Sequence, residues 1–213
     1  MLQEILHFFG RAICHQLDER SLHISGEALS VCARDTGIYI GIFSTLIYLF
    51  LFKRKASITI PSKKTSFLLL LFLVPLLIDG FGSYMNLFES NNLRRLVTGT
   101  SFGLALPYFL YPLLSSKSLE PMSEPIIKLS RDVYLPILLS SLLGGLFYWG
   151  QPSQLVLDSF IIIMILVWFS LCASFLFSFI RLTPIKWGLS IAGGIAFLSS
   201  LSLLHAWVLS FTI

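Results

Sequence analysis

Residues 154–180 read QLVLDSFIIIMILVWFSLCASFLFSFI and contain one charged side chain, that of Asp158. A helix needs about twenty predominantly apolar residues to cross the hydrocarbon core of a bilayer, because each residue advances only about 1.5 Å. This run is long enough. Five further apolar runs of similar character occur in the chain: 36–52, 65–82, 96–114, 133–149 and 187–213. The sequence therefore predicts an all-α membrane protein with six transmembrane helices.

The composition supports this assignment and excludes an ordinary soluble domain. Of the 213 residues, 55% are hydrophobic and 12% are charged, and the mean hydropathy is +0.83. The first ten residues contain Glu4 and no long apolar run, so we do not expect a cleaved signal peptide. Five apolar side chains instead lie on one face of a predicted helix: Leu2, Ile5, Leu6, Phe9 and Ile13. Such a face predicts an N-terminal helix that lies in the membrane interface.

The basic residues lie at the ends of the predicted spans. This distribution argues against nucleic-acid binding, although the net charge is +4. One side of the membrane would carry ten of them: Lys53, Arg54, Lys55, Lys63, Lys64, Lys117, Lys128, Arg131, Arg181 and Lys186. The other side would carry five: Arg11, Arg20, Arg34, Arg94 and Arg95. The positive-inside rule therefore predicts a multi-pass protein of the cell membrane with both termini on the exterior.

A dense polar segment precedes the first span. It contains Cys14 and Cys32, two of the three cysteines, together with His15 and Asp35. Two short strands are predicted between the cysteines: 21–24 and 28–31. A hairpin of these strands would bring the two ends of the segment together. We therefore predict a small exterior Cys/His cap that includes the interfacial helix, residues 1–35, and a six-helix bundle, residues 36–213.

Three ionisable residues fall inside the predicted spans, all in the exterior half of the membrane. They are Asp79, Asp158 and His205. Such residues indicate function by default, because a charge in lipid is costly. For Asp158 and His205 the simpler explanation is interfacial exposure or an interhelical hydrogen bond. Asp79 lies deeper, and the polar loop 89–95 that follows it offers an arginine to its carboxylate.

Small residues and prolines predict how the helices pack. Gly99 with Gly103, and Gly188 with Ala192, are each one helical turn apart and favour close approach of neighbouring helices. The doublets Gly144-Gly145 and Gly193-Gly194 favour it as well. Four prolines in the predicted spans can kink their helices, because proline has no N–H to donate within a helix: Pro75, Pro107, Pro112 and Pro136.

Two blocks of the chain resemble the bacterial membrane family called domain-of-unknown-function family 2085. The first block comprises Cys14-His15-Gln16, Arg20-Ser21 and residues 32–39, Cys-Ala-Arg-Asp-Thr-Gly-Ile-Tyr. The second comprises Asp79-Gly80, Asn91-Asn92-Leu93-Arg94 and Thr98-Gly99. The resemblance covers roughly residues 12–103 and implies a membrane protein without implying an activity. Asp35 stands where the family pattern has a cysteine, and Ser83 and Phe88 stand where it has a glutamine and an arginine.

The Cys/His cap allows more than one chemistry. Cys14, His15, Cys32 and Asp35 are ligand types that suit zinc or another divalent metal. Asp35 favours a metal over local dithiol chemistry, because a redox-active Cys-x-x-Cys needs both sulfurs. Adjacent Cys14 and His15 are awkward as ligands of one tetrahedral ion. Alternatively, therefore, His15 orients or activates Cys14, with Arg20 or Arg34 favouring its thiolate, or a disulfide between the cysteines pins the cap.

Four classes of function stay open. The first is binding or modification of an anionic or lipid-linked envelope lipid, with five candidate catalytic residues: Cys14, His15, Asp79, Asn91 and Arg94. The supporting residues are Arg20, Arg34 and Asp158. The second is an envelope thiol-disulfide protein, the third is metal-ion handling or transport, and the fourth is a structural membrane protein with a stapled cap. Transport ranks lower because the ionisable residues stop in one half of the membrane. The sequence decides neither catalysis nor oligomeric state.

Overall fold

The computed structural model describes residues 1–24, 26–54, 56–114, 123–150, 152–180 and 182–211. Parts of some predictions fall outside these ranges: Ser25 in the hairpin turn, Lys55, Lys117 and Arg181 of the charge pattern, and residues 212–213 of the last span. The helices are α1 (Leu2–Arg11), α2 (Ala33–Lys53), α3 (Lys63–Leu71), α4 (Val74–Tyr84), α5 (Asn92–Leu113), α6 (Arg131–Trp149), α7 (Gln154–Leu176) and α8 (Thr183–Leu209). The strands are β1 (Ser21–Ile24), β2 (Glu27–Cys32), β3 (Ile58–Thr59) and β4 (Glu124–Pro125). Among the described residues six helical segments are long and apolar enough to cross a membrane, with α3 and α4 forming one of them. The all-α membrane fold is thereby confirmed.

Some helix ends differ from the predicted limits. Helix α5 begins at Asn92 rather than at residue 96, because the Asn91 side chain accepts the Arg94 N–H at 2.8 Å. Helix α8 begins at Thr183, with a proline in its first turn, where the missing N–H costs no hydrogen bond. Helix α7 ends at Leu176 rather than at residue 180. Asn91 is therefore the N-cap of α5, although it lies outside the predicted apolar run.

The second span is broken rather than continuous. Helix α3 ends at Leu71 and α4 begins at Val74, with Pro75 in the first turn of α4. The hydroxyl of Ser101 on α5 donates to the Phe72 carbonyl at the break, at 2.8 Å. A backbone group inside a membrane needs such a partner, because no water is present to replace it. The second span is thus interrupted next to Pro75, whereas α5 and α6 continue as helices through Pro107, Pro112 and Pro136.

The chain forms two compact units, the first from Met1–Cys32 with Gln151–Ile213 and the second from Ala33–Gly150. In the second unit, α2 packs lengthwise on α5 at glycines. A Cβ on Gly99 would come 2.1 Å from the Arg34 carbonyl oxygen, and one on Gly103 2.0 Å from that of Ile38. The predicted close packing at Gly99 and Gly103 is therefore confirmed, whereas the division of the chain at residue 35 stays a prediction.

The first unit contains α1, the β1–β2 hairpin and the helix pair α7–α8. The strands are antiparallel, with Ser21 opposite Cys32, so the predicted hairpin is confirmed. Helices α7 and α8 approach closely at Gly194, where an added Cβ would come 3.0 Å from the Ser170 hydroxyl. The prediction for Gly188 is wrong, since no described atom lies within 4 Å of a Cβ placed there.

Candidate functional site

The two cysteines of the polar segment lie together in the first unit. Cys14 is buried in the segment after α1, and its Sγ lies within 4.8 Å of the Sγ of Cys32 at the end of β2. The backbone N–H groups of Cys32 and Gln16 point at the Cys14 sulfur, with N···Sγ distances of 3.1 and 3.4 Å. Donors directed at a sulfur favour the thiolate, which is the form that binds metals and attacks disulfides.

Gln16 holds the segment after α1 against the hairpin. Its φ is +54°, in the left-handed region that non-glycine residues rarely adopt. Its side-chain amide donates to the carbonyl oxygens of His7 at 2.9 Å and Ser30 at 2.8 Å. Gly10 permits this close approach, because a Cβ there would come 2.3 Å from the Ser30 carbonyl oxygen. A strained residue with two hydrogen bonds thus fixes the position of the buried cysteine.

Asp158 fastens the hairpin to α7. Its side chain is buried, and its Oδ1 accepts both the N–H and the hydroxyl of Ser30 at 2.8 Å. Within the described ranges its Oδ2 has no hydrogen-bond partner. The expectation of interfacial exposure or an interhelical bond is wrong, because the partner lies on strand β2. The sequence could not show this contact, which joins residues far apart in the chain.

His15 and His205 contact each other in the first unit. Their rings meet edge to face, with centroids 4.9 Å apart. His205 donates from Nδ1 to the Arg11 carbonyl at 2.8 Å, and its buried Nε2 has no partner in the described part of the chain. Since a carbonyl oxygen only accepts, the Nδ1 atom must carry the proton. His15 therefore packs on α8, whereas the sequence pairs it with Cys14.

Two further candidates near the cysteines have other surroundings. The Nε of Arg20 lies 3.4 Å from the Glu19 carboxylate, and the Arg20 side chain is half exposed. Asp35 lies in the first turn of α2, in the second unit. The structure thus brings Cys14 and Cys32 together within the first unit, and it pairs Arg20 with its chain neighbour.

The second unit contains a cluster of two arginines, a serine and a buried aspartate, here called the arginine–aspartate cluster. Asp79 on α4 has no solvent exposure. Its Oδ2 accepts from the Arg34 Nη2 at 2.5 Å, and its Oδ1 accepts from the Ser90 hydroxyl at 2.5 Å and lies 3.1 Å from the Arg94 Nε. The predicted return of an arginine to Asp79 is confirmed, and Arg34, expected only as a supporting residue, is its second partner.

The two arginines of this cluster remain accessible although their shared partner is buried. The exposed fraction of the side chain is 27% for Arg34 and 43% for Arg94. The buried Nε of Arg34 has no hydrogen-bond partner among the described residues. Taken by themselves, the two guanidinium groups and the one carboxylate of this cluster carry a net charge of +1.

An aromatic ring positions Arg94. The guanidinium carbon lies 4.0 Å from the centroid of the Phe88 ring, a distance typical of a cation–π contact. Phe88 in turn lies against Gly82, where an added Cβ would come 2.2 Å from the ring. Phe88 is one of the positions at which the chain departs from the family pattern, so here the arginine stacks on a ring.

Asn91 serves the backbone rather than a ligand. Its side-chain oxygen accepts the Arg94 N–H and caps α5. Arg95 in the next turn is 9% exposed and donates to the Asn92 side chain at 3.2 Å. The cap places the N-terminal turn of α5, which is the positive end of the helix dipole, beside the arginine–aspartate cluster. Helix termini of this kind favour anions.

A second buried aspartate, Asp132 in the first turn of α6, was not among the predicted site residues. It has no solvent exposure and accepts from the Tyr48 hydroxyl at 2.5 Å, from the Lys53 Nζ at 3.0 Å, and from the N–H groups of Lys128 and Leu129 at 2.8 and 2.9 Å. Its carbonyl oxygen accepts from Tyr108. The sequence signal was an acidic residue at a span boundary, which is also typical of an exposed helix start.

Known proteins give two kinds of match. The family model described as "Predicted membrane protein (DUF2085)" matches residues 14–109. An uncharacterised protein of Methanothermobacter thermautotrophicus is 41% identical over 99 residues, which are 45% of this chain and 82% of the relative. The chain belongs to the DUF2085 family. An uncharacterised protein of Methanocaldococcus jannaschii is 35% identical over 101 residues, 47% of this chain and 63% of the relative. No solved structure matches.

The matches fit the predicted resemblance in family and in extent. Both DUF2085 relatives are archaeal, so they do not confirm the expectation of a bacterial family. The matched range 14–109 contains both cysteines of the cap and the whole arginine–aspartate cluster. Asp132, Asp158 and His205 lie beyond it. The region that defines the family is therefore also the region that holds the candidate sites.

Proposed function

We propose that this DUF2085 protein binds the phosphate group of an anionic membrane lipid at Arg34 and Arg94. The observation that carries the proposal is the charge imbalance around Asp79, where two partly exposed guanidinium groups share one fully buried carboxylate. Arginine matches phosphate oxygens by paired N–H donors. Asp79 orients both side chains, and the donors that it leaves unused are available to a ligand.

The unsatisfied nitrogen of Arg34 supports an anionic ligand. Leaving a buried donor without a partner costs about 1–3 kcal/mol, and the Arg34 Nε is such a donor among the described residues. Since the Arg34 side chain is 27% exposed, a small rotation would bring its Nε to a phosphate oxygen, which would offset that cost. The N-terminal end of α5 lies beside Arg94 and is the positive end of the helix dipole, which also favours negative charge.

The geometry favours binding over catalysis. Asp79 already accepts from Ser90 and pairs with two arginines, so it is not available as a base. The Asn91 side chain is engaged in its cap. The excess of lysine and arginine at the opposite span ends supports an exterior position for this cluster, with both termini outside. The lipid would then belong to the outer leaflet of the cell membrane.

The test measures lipid binding to the full-length protein by native mass spectrometry in detergent. The probes are dioleoyl phosphatidylglycerol and dioleoyl phosphatidylcholine. We expect about tenfold tighter binding of the anionic lipid, since one charge-assisted hydrogen bond corresponds to roughly that factor. Arg94→Gln should remove most of this preference.

The matched control is Arg54→Gln. Arg54 also lies over an aromatic ring, that of Phe50 at 5.1 Å, but follows the opposite end of α2. Its substitution should leave the preference unchanged. Equal binding of the two lipids to the unaltered protein would contradict the proposal. So would equal losses in both variants, or inorganic phosphate binding as tightly as the lipid.

A second candidate function is metal binding at the cysteine pair, and we propose zinc as the ion. Two thiolates on one zinc ion lie at most about 4.6 Å apart, because each Zn–S bond is about 2.3 Å. The Sγ atoms of Cys14 and Cys32 lie within 4.8 Å of each other, so little or no movement would bring both sulfurs onto one ion. Asp35 is three residues beyond Cys32 in the chain. The Cα atoms of these two residues therefore lie at most about 11 Å apart. Asp35 is the proposed third ligand, with His15 as a fourth if its ring rotates away from His205.

Elemental analysis of the purified protein, paired with a count of reactive thiols, tests the metal. We expect about one zinc per chain and its loss in Cys32→Ser. Cys172→Ser is the control, since Cys172 lies on α7 and should not affect the metal content. Two blocked thiols without metal would replace this proposal by the disulfide-stapled cap. A mixed disulfide trapped through Cys14 would instead support the thiol-disulfide alternative.

A further inference from the structure

A cavity of about 410 Å³ lies between α5 and α6 in the second unit. Its walls are largely apolar. One end is formed by Leu93 and Trp149, and the other by Leu104 and Ile137. Leu93 is the chain neighbour of Arg94, so the first end of the cavity adjoins the arginine–aspartate cluster.

Two consecutive glycines on α6 create the space. A Cβ on Gly144 would meet nothing nearer than the Leu96 Cδ2 at 4.0 Å, and one on Gly145 nothing nearer than the Trp149 ring at 3.6 Å. Both are ordinary contact distances. The prediction of close helix packing at Gly144 and Gly145 is therefore wrong, unlike that at Gly99 and Gly103, and the effect of this pair is to leave the cavity open.

The length of the cavity matches one leaflet of a bilayer. From Leu93 to Leu104 helix α5 advances about 16 Å, at about 1.5 Å per residue. The hydrocarbon core of a bilayer is about 30 Å thick, so one leaflet contributes about 15 Å. A hydrocarbon chain that starts at the level of Arg94 would thus end near the bottom of the cavity.

The hydroxyl groups in the wall do not call for a polar ligand. Those of Thr100, Ser101 and Ser140 donate to the backbone carbonyls of Leu96, Phe72 and Ile137 at 2.8, 2.8 and 2.9 Å. A hydroxyl that is already bonded adds little cost when an apolar group covers it. The wall therefore suits a hydrocarbon chain better than a sugar or a nucleotide.

We infer that this cavity holds one hydrocarbon chain of the lipid whose phosphate lies at Arg34 and Arg94. The inference rests on the proposed function and adds the chain to the headgroup. The cavity has positive charge at its mouth and apolar walls below it. An anionic lipid has its charged headgroup and its hydrocarbon chains in the same order. A general lipid contact would need no charge at the mouth.

The test uses photo-crosslinking in vesicles. The full-length protein is placed in phosphatidylcholine vesicles that contain phosphatidylglycerol with a diazirine midway along one chain, and labelled residues are mapped by mass spectrometry. We expect labels on α5 and α6 within the ranges 96–104 and 137–145. A phosphatidylcholine probe with the same diazirine should label them about tenfold less.

Gly144→Leu fills the cavity without a backbone clash, and it should lower this labelling about tenfold, as expected when roughly two methylenes lose their site. Gly188→Leu is the matched control, because it makes the same change on α8 where no described atom is near. It should leave the labelling unchanged. Mapping on the unaltered protein keeps the test valid even if Gly144→Leu fails to fold.

The outcomes separate the chain site from the headgroup site. Labels elsewhere on the protein, with the anionic preference and its dependence on Arg94 intact, would overturn the chain site alone. Equal labelling of the cavity by both probes would show that bulk lipid fills it, which also overturns the inference. Loss of the anionic preference in the binding experiment would contradict the proposed function itself.

Discussion

Two buried aspartates lie at opposite ends of the second unit and have different surroundings. Asp79 and Asp132 both have no solvent exposure. Asp132 receives two backbone N–H groups, a tyrosine hydroxyl and one lysine, so its single charge is balanced by a single charge. Asp79 receives a serine hydroxyl and pairs with two arginines, which leaves a positive excess.

The partners explain what each aspartate does. The partners of Asp132 lie at the end of α2 and in the segment that precedes α6. They are next to a core cluster that includes Tyr48, Tyr108 and Ile126. They tie chain segments together and leave little for a ligand. The arginines on Asp79 are oriented yet accessible. Burial of a carboxylate is therefore not evidence of function by itself; the balance of charge around it separates a structural aspartate from a candidate binding site.

The largest expected effect is that of Asp132→Ala on stability. The change would leave Lys53 without its carboxylate and two backbone N–H groups without their acceptor. Removing one member of a buried ion pair costs about 3–5 kcal/mol, so we expect a loss of about 4 kcal/mol. Unfolding in mixed micelles, followed by circular dichroism over an SDS titration, measures it. If Asp132→Ala lowers the free energy of unfolding no more than Asp79→Ala does, the contrast between a structural Asp132 and a ligand-binding Asp79 is wrong.

Asp79→Asn should destabilise less, by about 1–2 kcal/mol. The amide keeps a hydrogen-bond acceptor, and the arginines are partly exposed, so water takes over part of what the carboxylate supplied. The same SDS titration measures the loss. Asp132→Asn, made in parallel, is the matched variant and should lose more, because the Lys53 side chain is 15% exposed. The reverse order would contradict the assignment of roles.

The helices were predictable because their signal is local. Each predicted feature could be recognised from residues close together in the chain. These features are the apolar runs, the hairpin, the break at Pro75 and the pair of packing glycines, Gly99 and Gly103. The approach of an arginine to Asp79 was also predictable, since Arg94 follows it after one short loop. Arg34 as the second partner was harder to predict, because it lies 45 positions from Asp79 in the chain.

The interhelical hydrogen bond predicted for His205 is confirmed, because its partner Arg11 lies on α1. The identities of the partners of His205 and Asp158 were not predicted, because these partners are far away in the chain. Asp158 bonds to Ser30 and His205 to Arg11 across more than a hundred positions, and no periodicity encodes such pairs. Asp132 was missed for another reason. An acidic residue at the start of a helix is usually an exposed cap, and the sequence alone does not distinguish it from one buried against a tyrosine and a lysine.

A smaller effect is expected for Tyr48→Phe. The change removes the hydroxyl that donates to Asp132 at 2.5 Å but keeps the ring in its place. Loss of one hydrogen bond to a charged group should lower the free energy of unfolding by about 1.5 kcal/mol. Tyr134→Phe is the control, because that side chain is exposed on α6. Equal stability of the two variants would indicate that the Tyr48 bond contributes nothing.

The smallest effect expected is on lipid binding in Gly82→Ala. The added Cβ would come 2.2 Å from the Phe88 ring, so the ring must move and Arg94 loses its stacking contact. A cation–π contact at a partly exposed site contributes about 0.5–1 kcal/mol, which corresponds to roughly threefold weaker binding of phosphatidylglycerol. Gly80→Ala on the same helix is the control, since its Cβ would meet only the Arg34 guanidinium at 4.0 Å. Weaker binding in Gly82→Ala alone, at unchanged stability, would show that Arg94 must be positioned as well as charged, whereas equal binding in both variants would limit its role to charge.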